Sequence, residues 1–339
     1  MSQIITVLGA TGTQGGSVIA ALLQQRDDPE QTTPYTTIRA VTRNPESLAA
    51  RALAARGVQV LRADLDDPPS LRAAFAGTHA IFAVTNFFES LGTLGVQQAM
   101  AAEIRQGKNV ADAAAVTTAL EHFVWSTLPD SRANSGGAAA VPYYESKNAV
   151  DAHIRTELPD LLAKTTFLWV GWYAANILNP LFRPVEYHHS GGDGRSGKSY
   201  VQLVGVPPAT TRIPMAGDEA RNTGLWVTSI LAQPRKTLPG KLVAATIGLS
   251  TFAEVLASYA EAQGLGSARC VQVGEDDYLA MWPGGWGELL LASTRYLALM
   301  GDKAFGSVEG EEGPLTKEDL GVEGLVGFAE AFANMPAVA

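Results

Sequence analysis

A chain of 339 residues, with 46% hydrophobic and 17% charged side chains, is long enough for one large or two modest folded domains and too apolar to be a disordered segment. Its formal net charge of −9 argues against a nucleic-acid-binding surface, and its single cysteine, Cys270, excludes an internal disulfide. With no apolar run that could span a bilayer and no basic-apolar leader, the expectation is a soluble cytoplasmic protein that meets neither membrane nor nucleic acid.

The first predicted element is the apolar, β-branched run Ile4 to Leu8, which ends at Gly9. Glycines at 9, 12 and 15 follow, and then a helix with Val18, Ile19, Leu22 and Leu23 on its apolar positions. Gly9 allows a sharp turn out of the strand. Gly12 allows close approach of a pyrophosphate, and Gly15 allows the helix to pack tightly on the strand. The helix N-terminus adds unpaired N–H groups and the positive end of its dipole. Between a strand and an apolar-faced helix, this spacing points to a bound dinucleotide.

A polar stretch over residues 24–37 reads as a surface loop. The second strand, residues 38–42, ends in Arg43-Asn44-Pro45. In a dinucleotide fold this place meets the adenosine ribose: an acidic residue binds the 2′-hydroxyl of NAD, and an arginine accepts the 2′-phosphate of NADP. Arg43 stands there, so NADP is expected; the competing reading is a solvated arginine before a helix. A helix over 45–57 leads to a third strand over 58–63, with Asp64 and Leu65 placed near the adenine. Asp66 or Asp67 is suited to cap a helix over 70–76. The fourth strand spans 80–86 and delivers Asn86, Phe87 and Phe88 to the ligand side. A long helix over 92–115 and a fifth strand over 122–127 complete a regular alternation. Right-handed crossovers turn such an alternation into a doubly wound parallel sheet.

Pro142 opens a helix to about Glu157 that carries Tyr143 and Lys147 on one face. The sixth strand, 165–170, ends in Gly171-Trp172-Tyr173, whose two aromatic side chains are candidates to line a pocket. Beyond about residue 174 the alternation lapses. A glycine-rich loop is expected over 191–197, with His188-His189 also in a loop. Strands are expected over 200–206, 241–246 and 268–273, the last making Cys270 a buried bystander. Helices are expected over 223–232, over 252–263 with Ser250 or Thr251 as cap, and over 278–300 with a break at Pro283-Gly284-Gly285. Segments 315–320 and 325–332 close the chain. The expected division is an NADP-binding Rossmann domain over 1–176 and a smaller C-terminal α/β substrate-binding domain over 177–339, with elements that return to the first.

Ser126 or Thr127, at the end of the fifth strand, would lie with Tyr143 and Lys147 beside the nicotinamide in such a fold. A lysine ammonium near a tyrosine favours phenolate. Tyr143 could then protonate a developing alkoxide as hydride arrives, with Ser126 or Thr127 holding the substrate oxygen and Lys147 also fixing the ribose. The alternative leaves Tyr143 an ordinary half-exposed aromatic and Lys147 a cofactor ligand only.

Gly9 to Gly16, Thr42 to Pro45, Asp64-Leu65, Val84-Thr85-Asn86 and Lys147 together resemble the NmrA-like family of atypical, isoflavone-reductase-like short-chain dehydrogenases. The stretch Gly107 to Ala114 before His122-Phe123-Val124 is also similar. The resemblance is good over roughly residues 4–176 and loose beyond them. It implies a Rossmann domain that binds NADP(H), with Thr11, Thr13 and Gln14 joining Gly9, Gly12 and Gly15 around the pyrophosphate. Arg43 would meet the 2′-phosphate and Asp64-Leu65 the adenine, with Thr85, Asn86, Phe87 and Lys147 along the nicotinamide half. Some members of this family are reductases and others are dinucleotide sensors that lack the tyrosine. Tyr143, in register with Lys147, favours an NADP(H)-dependent oxidoreductase acting on a carbonyl, imine or conjugated double bond of a lipophilic small molecule, such as a secondary metabolite. The alternative is a non-catalytic NADP(H) sensor with a regulatory protein partner. A homodimer is compatible with either, and no metal is expected.

Overall fold

Gly9 adopts φ +63°, a left-handed conformation that ends the first strand and turns the chain into the first helix. This strand–turn–helix unit starts the computed structural model, which describes residues 3–30, 33–190, 196–306 and 312–336. The first half runs β1 (Gln3–Val7), α1 (Thr13–Asp27), β2 (Tyr35–Thr42), α2 (Leu48–Ala55), β3 (Gln59–Arg62), α3 (Pro68–Phe75), β4 (Ala80–Ala83), α4 (Phe87–Ala115) and β5 (His122–Thr127). It continues with α5 (Ser131–Asn134), α6 (Pro142–Glu157), α7 (Pro159–Leu162) and β6 (Thr165–Val170).

The second half contains β7 (Trp172–Tyr173), β8 (Val185–Ser190), β9 (Ser196–Val204), β10 (Arg212–Gly217), α8 (Glu219–Ala232), α9 (Pro234–Thr237), β11 (Lys241–Ala245) and β12 (Gly248–Thr251). It ends with α10 (Phe252–Gln263), β13 (Ser267–Gln272), α11 (Glu275–Met281), α12 (Trp286–Met300), α13 (Lys317–Leu320) and α14 (Phe328–Ala333).

Seven strands form one parallel sheet in the order β3-β2-β1-β4-β5-β6-β11. Six of them follow the doubly wound order of a Rossmann fold, and β11 returns from the second half to pair with β6. Strand order reverses between β1 and β4, so the crevice outside their carboxyl ends is the expected ligand position. Helices α1 and α8 cover one face, burying Val18, Ile19, Leu22, Trp226 and Ile230 on the sheet. Their approach is close: a Cβ on Gly224 would come within 2.3 Å of the Ser17 carbonyl oxygen. Helices α3, α4 and α6 cover the other face with Phe75, Val110, Val150 and Ile154.

Two three-stranded sheets, β12-β10-β7 and β13-β9-β8, stand outside the large one. Around them Tyr259, Tyr278, Tyr296, Phe252 and Phe332 bury their rings in a second core. Phe87, Leu91, Ala99 and Leu289 form a smaller cluster that joins α4 to α12. Among the described residues no helix is long and apolar enough to cross a membrane.

Several expected boundaries move, each for a local reason. β2 begins at Tyr35, whose buried ring extends the strand back into the expected loop. α2 starts at Leu48, because the Asn44 side chain accepts from the Glu46 N–H in a turn and Ser47 caps the helix instead. Asp67 occupies the cap position of α3 without a side-chain bond, while Asp66 is taken by Arg105 and Gln106 of α4. α4 begins at Phe87, capped by Asn86, and kinks at Gly95 (φ 72°). His188 lies in strand β8, not in a loop, where β8 pairs antiparallel with β9. The glycine-rich loop is outside the described residues over 191–195; Ser196 and Gly197 belong to β9. Cys270 lies in β13 but is only half-buried; burial pushes its thiol to about 12.

Candidate active site

The crevice over β1 and β4 opens into a continuous cleft of about 730 Å³. Its first end is the glycine loop. Gly12 is the N-cap of α1, with no side chain capping the helix and no acidic residue in its first turn. The helix end is thus bare, and an anion placed there meets free N–H groups and no repulsion. A Cβ on Gly15 would stand 2.4 Å from the Gly9 carbonyl oxygen, so only glycine lets α1 start this close to β1. Gln14 donates from Nε2 to the Tyr173 hydroxyl at 2.6 Å, and its buried Oε1 has no partner among the described residues. Gly9, Thr11, Gly12, Thr13 and Gln14 all face this end of the cleft.

Arg43, at the end of β2, lines the same end and forms an ion pair with Glu89 in the first turn of α4. Asp64 and Leu65 follow β3 and also line it. Asp64 Oδ1 accepts from the Asp66 N–H at 3.0 Å, and the Leu65 carbonyl accepts from Asn109 Nδ2 at 2.8 Å. A dinucleotide fits this end: the bare helix terminus suits a pyrophosphate, and Arg43, at the end of β2, offers a cation to a further phosphate.

Midway along the cleft lies a buried polar cluster. Lys147 Nζ donates to the Thr85 carbonyl at 3.1 Å, to Thr85 Oγ1 at 2.9 Å and to Glu103 Oε1 at 3.0 Å. An ammonium has three donors, and these contacts engage all of them. Thr85 Oγ1 in turn donates to Glu103 Oε1 at 2.8 Å, and Ser146 donates to its other oxygen. The Glu103 side chain is 1% exposed, so among the described residues it is Lys147 and these hydroxyls, in place of water, that hold the carboxylate. Glu103 was not apparent in the sequence, because it sits mid-helix in α4, far from any motif.

This cluster changes the expected chemistry at Tyr143. The places of Tyr143 and Lys147 on one helix face lead to the expectation that the lysine charge draws the phenol towards ionisation. Instead, burial pushes the Tyr143 phenol above its ordinary range, against hydrogen bonding from Ser293 and Tyr144 that pulls it down. Lys147 is not among the groups that shift it, and the ammonium donates to Thr85 and Glu103. Tyr143 lines the cleft, as does Ser126. Thr127 lines it too, but its hydroxyl spends its one donor on Asp151 at 2.8 Å. Trp125 Nε1 donates to the other oxygen of Asp151 at 2.7 Å. Burial raises the Asp151 carboxyl to about 7 despite both bonds.

The far end is walled by rings. Phe88 stacks on Trp286 with centroids 5.7 Å apart, and Tyr143 lies 5.2 Å from Phe88. Phe87, Tyr144, Trp172, Phe182 and Phe252 continue the wall, with Leu290 and Leu297 from α12. Trp172 and Tyr173 both line the cleft. Asn86 lines it as well, its side chain accepting from the Phe88 N–H.

A model of the NmrA-like family matches residues 1–309. Among curated proteins, the chain is 33% identical over 177 residues to the NmrA-like family domain-containing oxidoreductase hkm9 of Aspergillus hancockii, covering 52% of this chain and 48% of that one. The chain thus spans about half the length of such relatives. Among solved structures, NmrA, a negative transcriptional regulator, in complex with NADP superposes with a TM-score of 0.71 at 23% identity, covering 98% of this chain and 95% of that one. Citrobacter sp. triphenylmethane reductase complexed with NADP(H) superposes with a TM-score of 0.64 at 20% identity, covering 98% and 99%. At these identities the likeness is one of fold.

Proposed function

This chain belongs to the NmrA-like family, and on that premise we propose that it is an NADP(H)-dependent oxidoreductase acting on a carbonyl, imine or conjugated double bond of a lipophilic small molecule, such as a secondary metabolite. The observation that carries this reading is the continuity of the cleft, which runs from a bare helix terminus and an arginine to a chamber walled by aromatic rings. The curated relative named an oxidoreductase and the neighbours solved with NADP(H) support it.

A bound reduced nicotinamide would supply hydride. The glycine loop would hold its pyrophosphate, Arg43 its 2′-phosphate, and Asp64 and Leu65 would flank the adenine. The aromatic wall, with residues 177–339 supplying much of it, would exclude water from the substrate. Tyr143, kept neutral by burial, would donate its phenolic proton to the substrate oxygen or nitrogen as hydride arrives at carbon, acting as the acid of the reduction and regaining its proton from solvent after product leaves. Ser126 would provide a second hydroxyl. Lys147 would shape the floor through Thr85 and Glu103.

One observation favours a second reading, a non-catalytic NADP(H) sensor with a protein partner: the lysine donors are engaged away from Tyr143. Titration of the protein with NADPH and NADH, with Arg43→Ala as control, tests the shared cofactor premise. Tighter binding of NADPH than of NADH, with the difference removed by Arg43→Ala, is the expected result, and absence of binding of either dinucleotide overturns both readings. Hydride consumption against hydrophobic aldehydes, cyclic imines and enones then separates them. Turnover of any of these supports the oxidoreductase, and bound NADPH that none of them oxidises supports the sensor.

A further inference from the structure

Two cations line the cleft among the described residues, Arg43 and Lys147. All three donors of Lys147 are spent on Thr85 and Glu103. Arg43 is therefore the cation open to an anionic ligand, and it is paired with Glu89. The two ends of that pair come from different sides of the crevice. Arg43 follows β2 and Glu89 opens α4 after β4, while β2 and β4 are the two neighbours of β1. The pair spans the crevice above the carboxyl end of β1, where Glu89 also lines the cleft.

The other charges nearby do not relieve this competition. Burial pushes the Asp66 carboxyl up, but Gln106 and Arg105 outweigh it and hold the group below its ordinary value, with a smaller contribution from Arg43, so Arg105 already has its counter-ion. Asp64 adds a further carboxylate to the lining. A 2′-phosphate that takes Arg43 therefore either displaces the Glu89 carboxylate or shares the guanidinium with it, and in both cases remains close to a like charge. A ribose that carries only a 2′-hydroxyl meets no such repulsion, and a carboxylate can accept its hydrogen bond.

We propose that Glu89 is a specificity-determining residue that competes with the 2′-phosphate for Arg43, and so holds the preference for NADP(H) over NAD(H) below what Arg43 alone would set. This inference rests on the dinucleotide reading above. Both groups of the pair are substantially exposed, with side chains 62% and 49% accessible, so the effect is one of competition and not of a locked gate.

The test is a binding titration by quenching of intrinsic fluorescence, with NADPH and NADH as probes, for wild type, Glu89→Gln and Glu89→Asp. Each is repeated in an Arg43→Ala background. The expected result is that Glu89→Gln raises the ratio Kd(NADH)/Kd(NADPH) by about three- to tenfold, the range of an exposed ion pair plus one like-charge contact. Glu89→Asp, which keeps the charge, should leave the ratio near the wild-type value, and Arg43→Ala should shrink the effect of Glu89→Gln. A Glu89→Gln protein whose two affinities move by the same factor, or whose ratio shifts towards NADH, overturns the proposal. Failure of the underlying reading is visible separately, as a wild-type protein that binds neither dinucleotide.

Discussion

Replacing Lys147 by Met removes the positive half of a buried pair whose side chains are 10% and 1% exposed. The methionine fills most of the lysine stem's volume, so the loss is chiefly electrostatic. Glu103 is then left with the hydroxyls of Thr85 and Ser146 and no counter-ion. Breaking a buried pair on one side costs about 3–5 kcal/mol. The cost should fall sharply when Glu103 is made neutral as well, because the uncompensated charge is the main penalty. We therefore expect Lys147→Met to lose about 3–5 kcal/mol in urea unfolding, and the double variant with Glu103→Gln to recover more than half of that loss. A Lys147→Met protein that loses less than about 1 kcal/mol, or a double variant no more stable than the single one, would refute the view that Glu103 is ionised and held by Lys147.

Asp151 gives a pH dependence of definite sign. Its folded value of about 7 lies above the ordinary aspartate value of 3.8, so the folded state retains a proton that the unfolded chain loses as pH rises through that window. Wild-type stability should fall between those two values, and Asp151→Asn should remove the fall, gaining on wild type by up to roughly 4 kcal/mol at the upper end; equal pH slopes for the two proteins would count against it. Gly15→Ala should abolish dinucleotide binding and lower Tm, because its Cβ would overlap the Gly9 carbonyl at 2.4 Å; retained NADPH affinity in this variant would contradict the close start of α1. Thr251→Ala breaks a reciprocal cap in which Thr251 and Glu254 each accept from the other's backbone N–H, and should cost about 1 kcal/mol in urea unfolding without changing dinucleotide affinity.

Local chemistry made much of this protein legible. The β-branched run before Gly9, the glycine spacing and the apolar helix face are properties of adjacent residues, and they specify a strand–turn–helix unit without reference to the rest of the chain. β5, α6, β6 and α10 coincide with their expected bounds because each begins or ends at a strong local signal, such as Pro142 or the Thr251 cap. The shifted starts of α2 and α4 depended on which polar side chain captured a particular N–H, a competition between near-equal options.

What the sequence alone determined is therefore the parallel α/β class, the glycine loop and the placement of Arg43 after a strand. Only the tertiary structure decided the state of the charges. Glu103 lies 44 residues from Lys147, and Glu89 lies 46 residues from Arg43. Neither pairing follows from helix or strand periodicity, because each is set by how α4 crosses the sheet. The expected partnership of Tyr143 with Lys147 rested on their position on one helix face. In the fold a buried carboxylate from another helix is the stronger partner for the ammonium, since attraction between full opposite charges in a poorly hydrated site exceeds that between a charge and a neutral phenol.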